Sequence, residues 1–150
     1  MEFDNLSNRV IGCAIEVHRH LGPGLLESVY EQCLAHELNR NGITFQLQCP
    51  QPVPYKDIRL DCGYRIDILV ENELIVELKS VGEMKGIHQA QLLTYMKLSG
   101  VKIGLLINFN VTILRDGIKH FVLCILRALR ALRVAPSAPS ELSDWYNAQP

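Results

Sequence analysis

The stretch from Arg65 to Phe109 constrains the fold more than any other part of the chain. Two runs of strand texture, Arg65 to Val70 and Leu74 to Lys79, flank Glu71-Asn72-Glu73 and predict an antiparallel hairpin. A helical segment from Lys85 to Ser99 follows, closed by Gly100. Ile103 to Phe109 is then a largely apolar run of strand length, the texture of a strand covered on both faces. Strand, helix and strand in this order form a right-handed crossover, which sets the second strand of the hairpin parallel to Ile103–Phe109. A hairpin and a parallel pair in one sheet make that sheet mixed. The expected class is α/β, a mixed sheet flanked by helices.

The rest of the chain adds elements to this unit. Leu6, Val10, Ala14, Val17 and Leu21 recur at helical steps, with Asn5 or Ser7 as the expected N-cap. Gly22-Pro23-Gly24 breaks that helix. Leu26, Val29, Tyr30, Cys33, Leu34 and Leu38 then line one face of a second helix, ended by Asn41-Gly42. Thr44 to Cys49 reads as a strand, Pro50 to Pro54 as a loop or edge segment, and Ile58 to Cys62 as a short strand. Val111 to Leu114 and Lys119 to Val122 flank Asp116-Gly117, a hairpin signal. Beyond residue 122 the texture changes. Leu126 to Arg133 repeats leucine and arginine every three residues, a Pro/Ser linker follows, and the end is polar. Residues 1–122 are therefore expected to form one domain and 123–150 an extension.

Composition limits what such a domain can do. Its 48% hydrophobic content and balanced charge exclude general disorder. No apolar run approaches the ~20 residues of a spanning helix, and the first residues lack the features of a signal peptide. A net charge of −1 argues against a generic polyelectrolyte binder. The charge is uneven, however. Residues 1–80 hold 7 Lys/Arg against 12 Asp/Glu, and residues 81–150 hold 8 against 4. Five cysteines without a C-x-x-C pair are expected to be buried free thiols of a cytoplasmic protein, not zinc ligands.

The hairpin carries charges where an apolar strand should have none. Period-two alternation places Glu77 and Lys79 on one strand face, and half-buried charges must be paired or bind something. A two-residue turn would set Asp67 and Glu77 on opposite faces of the sheet. A three-residue loop, Glu71 to Glu73, restores a common face, so an odd loop, a bulge or strong local twist is expected.

Asp67 followed by Glu77-Leu78-Lys79 resembles the PD-(D/E)xK nuclease signature. Gly24-Leu25-Leu26-Glu27-Ser28-Val29-Tyr30 spells GxxExxY, the motif of a small family in that superfamily. Gln91-Leu92-Leu93-Thr94-Tyr95 matches the Q-x-x-x-Y of its exonuclease-like branches. The resemblance covers about Leu6 to Val122 and departs from the name of the superfamily at Ile66, where proline would stand. It implies a restriction-endonuclease-like core and a nuclease hydrolysing phosphodiesters, with DNA the expected substrate and Mg²⁺ or Mn²⁺ the cofactor.

On that resemblance Glu27, Asp67, Glu77 and Lys79 are the catalytic candidates. Asp67, Glu77, Glu27 and the Leu78 main-chain carbonyl are the candidate metal ligands. Asp67 and Glu77 offer hard oxygens that suit such a cation. Lys79 would orient or deprotonate the attacking water, its pKa lowered by desolvation. Glu27 is either a third carboxylate of the site or an acid favoured in a first helical turn. Gln91, Tyr95, Tyr30 and His88 are candidate substrate-binding or orienting residues, with core packing the competing role for both tyrosines. The alternative to an enzyme is a non-catalytic module that binds nucleic acid or protein on the same fold. The Leu/Arg segment offers a face for a homodimer or a protein partner. A membrane is not among the expected partners.

Overall fold

A computed structural model describes residues 4–124. The Leu/Arg segment and the polar end, together with the expectations placed on them, lie outside the described residues. Two helices open the fold, α1 (Asn5–Leu21) and α2 (Glu27–Arg40). Strands β1 (Phe45–Pro50), β2 (Val53–Tyr55), β3 (Ile58–Leu60), β4 (Arg65–Val70) and β5 (Leu74–Lys79) follow. Helix α3 (Gly86–Ser99), strand β6 (Ile103–Asn108), a 3₁₀ turn (Leu114–Gly117) and strand β7 (Ile118–Val122) complete it. Five strands form one sheet in the order β1-β4-β5-β6-β7, while β2 and β3 form a separate two-stranded arm. Only the β5–β6 pair of the large sheet is parallel. The mixed α/β class and the crossover through α3 are as the sequence predicts.

The sheet separates two cores. Helices α1 and α2 bury Val10, Ala14, Val17 and Leu34 against Ile68, Val76, Leu78, Leu105 and Ile107 on one face. Helix α3 buries Leu92, Tyr95 and Met96 against Ile66, Ile75 and Leu106 on the other. The α3 contact is close because β6 carries Gly104, where an added Cβ would lie 2.6 Å from Met96 Sδ and 3.0 Å from Leu92 Cδ1. Covering both faces explains why β5 and β6 are apolar almost throughout.

Four local expectations are corrected. The N-cap of α1 is Asp4, whose Oδ1 accepts from Ser7 N at 2.9 Å, while the buried Ser7 hydroxyl donates to Asp4 Oδ2. In the second helix Leu26 and Val29 are exposed, because α2 turns its Tyr30–Leu34–Leu38 side to the sheet. Asp116-Gly117 does not close a hairpin. It ends the 3₁₀ turn, residues 111–113 are not a strand, and β7 pairs with β6. Gly117 is required there because a Cβ would collide with the Asn108 carbonyl oxygen. The cysteines are free, but Cys62 and Cys124 are exposed, since each stands in a segment outside the sheet.

Candidate nuclease site

The hairpin register decides whether the charges meet. Ile68, Leu69 and Val70 pair with Val76, Ile75 and Leu74, so the connection is the three-residue loop Glu71–Glu73. Glu71 and Asn72 adopt left-handed φ of 49° and 57° to close it. Continued by one step, this register sets Asp67 opposite Glu77. The ladder stops there, however, and Asp67 Oδ2 accepts from the Leu78 N–H at 2.8 Å. A side chain has thus taken a main-chain donor at the point where β4 and β5 separate.

A second distortion lies across β4. Gln48, the β1 residue facing Asp67, has φ of 51° and is left out of the β1–β4 ladder. Leu47 and Ile68 belong to the α1/α2 core, whereas Cys49 and Ile66 belong to the α3 core. The period of two therefore breaks at Gln48 and Asp67, as a bulge-like kink does. The Gln48 amide donates to Glu31 Oε2 and also reaches the Asp67 carboxylate. Glu31 is a buried acid one helical turn after Glu27. Neither Gln48 nor Glu31 has a motif to announce it.

Glu27 reaches the cleft from the first turn of α2. Its Oε1 accepts from Ser80 N at 3.2 Å, directly after Lys79. The loop before α2 is held for this purpose. The Ser80 hydroxyl donates to the Leu25 carbonyl at 2.6 Å, and the Tyr30 hydroxyl donates to Gly22 O at 2.6 Å while accepting from Leu25 N at 3.2 Å. Gly24 turns the chain there with φ of 97°. Tyr30 is fully buried and stacked on Phe109 at 4.4 Å, so it shapes this loop from the core and does not line the cleft. On the far side, buried Asn108 clamps the segment after Lys79. Its Oδ1 accepts from Val81 N at 3.1 Å and its Nδ2 donates to Val81 O at 2.9 Å.

Helix α3 supplies the other wall. Gln91 Nε2 donates to the Tyr95 hydroxyl at 3.3 Å, and Tyr95 packs edge-on to Tyr64. His88 Nδ1 accepts from Lys85 N at 3.0 Å, which caps the start of α3, so that ring nitrogen is committed to the helix.

The electrostatics follow from burial. Lys79 Nζ donates to Glu77 Oε1 at 2.9 Å. Glu77 Oε2 is the one buried side-chain N or O atom among the described residues without a hydrogen-bond partner. Burial, and then the Asp67 charge, push the Glu77 carboxyl up to about 7 despite Lys79. Burial raises Asp67 above the usual carboxylate range as well, against the opposing pull of the Leu78 N–H and Lys79. Burial alone would lower Lys79, but the Glu77 hydrogen bond and the charges of Glu77, Glu27 and Asp67 outweigh it and hold the ammonium more firmly protonated. The expected lowering of the lysine pKa is therefore corrected: Lys79 is a fixed cation.

Residues 4–121 match the family model of the PD-(D/E)XK nuclease superfamily. The chain belongs to that superfamily. No curated protein and no solved structure matches it. The sheet and helices have the restriction-endonuclease-like form of PD-(D/E)XK proteins, which are in general hydrolytic nucleases and typically use divalent metals such as Mg²⁺. The residues at this PD-(D/E)XK position fit such an ion. A buried and a half-buried carboxylate, both with raised pKa values, and an unpartnered Oε2 lack positive charge that Lys79 alone does not supply. Among the described residues no three His, Cys, Asp or Glu side chains gather closely enough to hold a metal by themselves. A metal held by Asp67 and Glu77 would therefore need main-chain or water oxygens as well. No helix among the described residues is long and apolar enough to cross a membrane.

Proposed function

We propose that this chain is a metal-dependent nuclease of the GxxExxY type that hydrolyses phosphodiester bonds, with DNA as its substrate. The observation that carries the reading is Glu77. It is a buried carboxylate beside Asp67 and Lys79 with one oxygen left unpartnered, which is costly unless a ligand completes it. Asp67, Glu77 and the Leu78 carbonyl would hold Mg²⁺ or Mn²⁺, with Glu27 contributing through water. Bound there, the ion supplies Lewis-acid stabilisation of phosphoryl charge and a more acidic water.

The chain's own residues do the rest. Lys79, pinned by Glu77, presents an ammonium that orients the attacking water or stabilises charge on a non-bridging oxygen. Gln48 and Asn108 position Asp67 and the chain after Lys79. Gln91 and Tyr95 form the wall on which substrate rests.

The test is hydrolysis of plasmid, linear duplex and single-stranded DNA, and of RNA, with Mg²⁺ or Mn²⁺ and with EDTA, alongside Lys79→Ala. Cleavage that needs metal and Lys79 supports the proposal. Binding without cleavage of any substrate would favour the non-catalytic module instead.

A further inference from the structure

A second feature lies on the α3 side of the sheet. A cavity of ≈460 Å³ lies between α3 and the segment carrying the β2–β3 arm, lined by Val53, Tyr64, Ile87, Gln91, Thr94 and Tyr95 among others. Tyr95 joins it to the proposed metal site through packing, since it lies in one cluster with Ile66, the residue before Asp67, and its hydroxyl accepts from Gln91.

The lining specifies the chemistry of an occupant. None of the residues around the cavity carries a charge at neutral pH, so a phosphate finds no partner inside it. Tyr64 stands 52% exposed and Ile87 68% exposed, leaving flat apolar surface open to the cavity mouth. Tyr95 meets Tyr64 edge-on, with ring centroids 6.4 Å apart at 70°. Against this carbon surface stand the Gln91 amide, able to donate and accept, and the Thr94 hydroxyl. One exposed aromatic ring, Tyr64, braced from the core by Tyr95, with apolar walls and a few neutral hydrogen-bonding groups, suits a flat heteroaromatic ring with polar edges. A cavity of about 150 Å³ already accepts benzene, so this one has room for a base and part of its sugar. A polynucleotide whose backbone lies at Asp67, Glu77 and Lys79 carries such a ring on every sugar.

We propose that the cavity takes one unpaired nucleobase of the bound strand, and that the protein therefore prefers single-stranded or frayed nucleic acid to closed duplex. This rests on the nuclease reading above for the identity of the ligand. A base in a closed duplex is stacked on both faces and reaches the cavity only by being unstacked. A base in a single strand enters without that cost and stacks on tyrosine, whatever its identity.

The experiment is fluorescence anisotropy of labelled oligonucleotides bound to the full-length Lys79→Ala protein in Mn²⁺. A strand of the same length with abasic sites throughout is compared with the intact single strand and its duplex. The intact strand is expected to bind more tightly than duplex, and roughly 5- to 150-fold more tightly than the abasic strand. Tyr64→Ala, at an exposed position, should weaken the intact strand similarly and remove most of its advantage over the abasic strand. Ile87→Ala should act in the same direction. Equal binding of the intact and abasic strands, or indifference to Tyr64→Ala, overturns the cavity proposal. Metal-dependent cleavage by the wild type is measured in parallel. Cleavage with no base dependence overturns the cavity proposal alone, and base-dependent binding without cleavage overturns the nuclease reading alone. Absence of any binding overturns the cavity proposal.

Discussion

Replacing Glu77 by glutamine should stabilise the metal-free protein at pH 8. The carboxyl titrates near 4.5 when unfolded and at about 7 in the fold, because burial and Asp67 outweigh Lys79. Between those pH values the native state keeps a proton that the unfolded chain has released. Stability therefore falls as pH rises from about 4.5 to about 7 and is flat above. At about 1.4 kcal/mol per unit of pKa, the ionised group costs roughly 3 kcal/mol above pH 7. Glutamine keeps the shape of the side chain and an oxygen for Lys79 but carries no charge. Urea unfolding in EDTA should show Glu77→Gln more stable than wild type by up to about 3 kcal/mol at pH 8, shrinking below about 1 kcal/mol at pH 5. A variant equally or less stable than wild type at pH 8, with an unchanged slope against urea, would refute the reasoning.

Divalent metal should relieve the same cost. Thermal unfolding at millimolar Mn²⁺ should move upward by several degrees, about 2.7 kcal/mol at a hundredfold excess over the dissociation constant, and Asp67→Asn should abolish the shift. Asn108→Ala leaves the half-buried Val81 N–H and C=O without their side-chain partner, so urea unfolding should show a loss of about 1 kcal/mol and cleavage should slow as the chain after Lys79 loosens. Asp4→Ala removes the α1 cap and should cost about 1 kcal/mol by the same measurement at neutral pH. Hydrogen bonds from Ser7 and His120 hold the Asp4 carboxyl below its usual range although burial opposes them, so this difference should fade as acid protonates the group.

The architecture was legible where local pattern and long-range pairing agree. Leu74–Lys79, the α3 segment and Ile103–Asn108 have few ways to fold, and a common face for Asp67 and Glu77 called for an odd loop, a bulge or strong twist, of which the register contains the three-residue loop and Gln48 adds a kink. Glu27 could be found because GxxExxY joins it to the glycine turn and to Tyr30, although the pattern does not reveal that Tyr30 acts from within the core. Residues whose role depends on a distant partner were not legible. Gln48 matters through its left-handed backbone and its bond to Glu31, 17 residues away, and Asn108 through a loop 27 residues away. Asp116-Gly117 misled because a hairpin signal describes a turn, not its partners; β6 was already free to pair with β7. Lys79 misled for a related reason. Desolvation does lower a lysine, but three carboxylates gathered by the fold raise it further than burial depresses it.

Lys79→Ala separates chemistry from metal binding and tests the account most directly. The variant loses the ammonium but keeps Asp67, Glu77 and the Leu78 carbonyl. Cleavage of end-labelled single-stranded DNA in saturating Mn²⁺, with the Mn²⁺-dependent thermal shift recorded on the same samples, is the measurement. Wild type should cleave only with metal, and the variant should lose cleavage by at least about a hundredfold while keeping the thermal shift. Cleavage by Lys79→Ala at the wild-type rate, or a wild type that neither binds Mn²⁺ nor cleaves, would contradict the account.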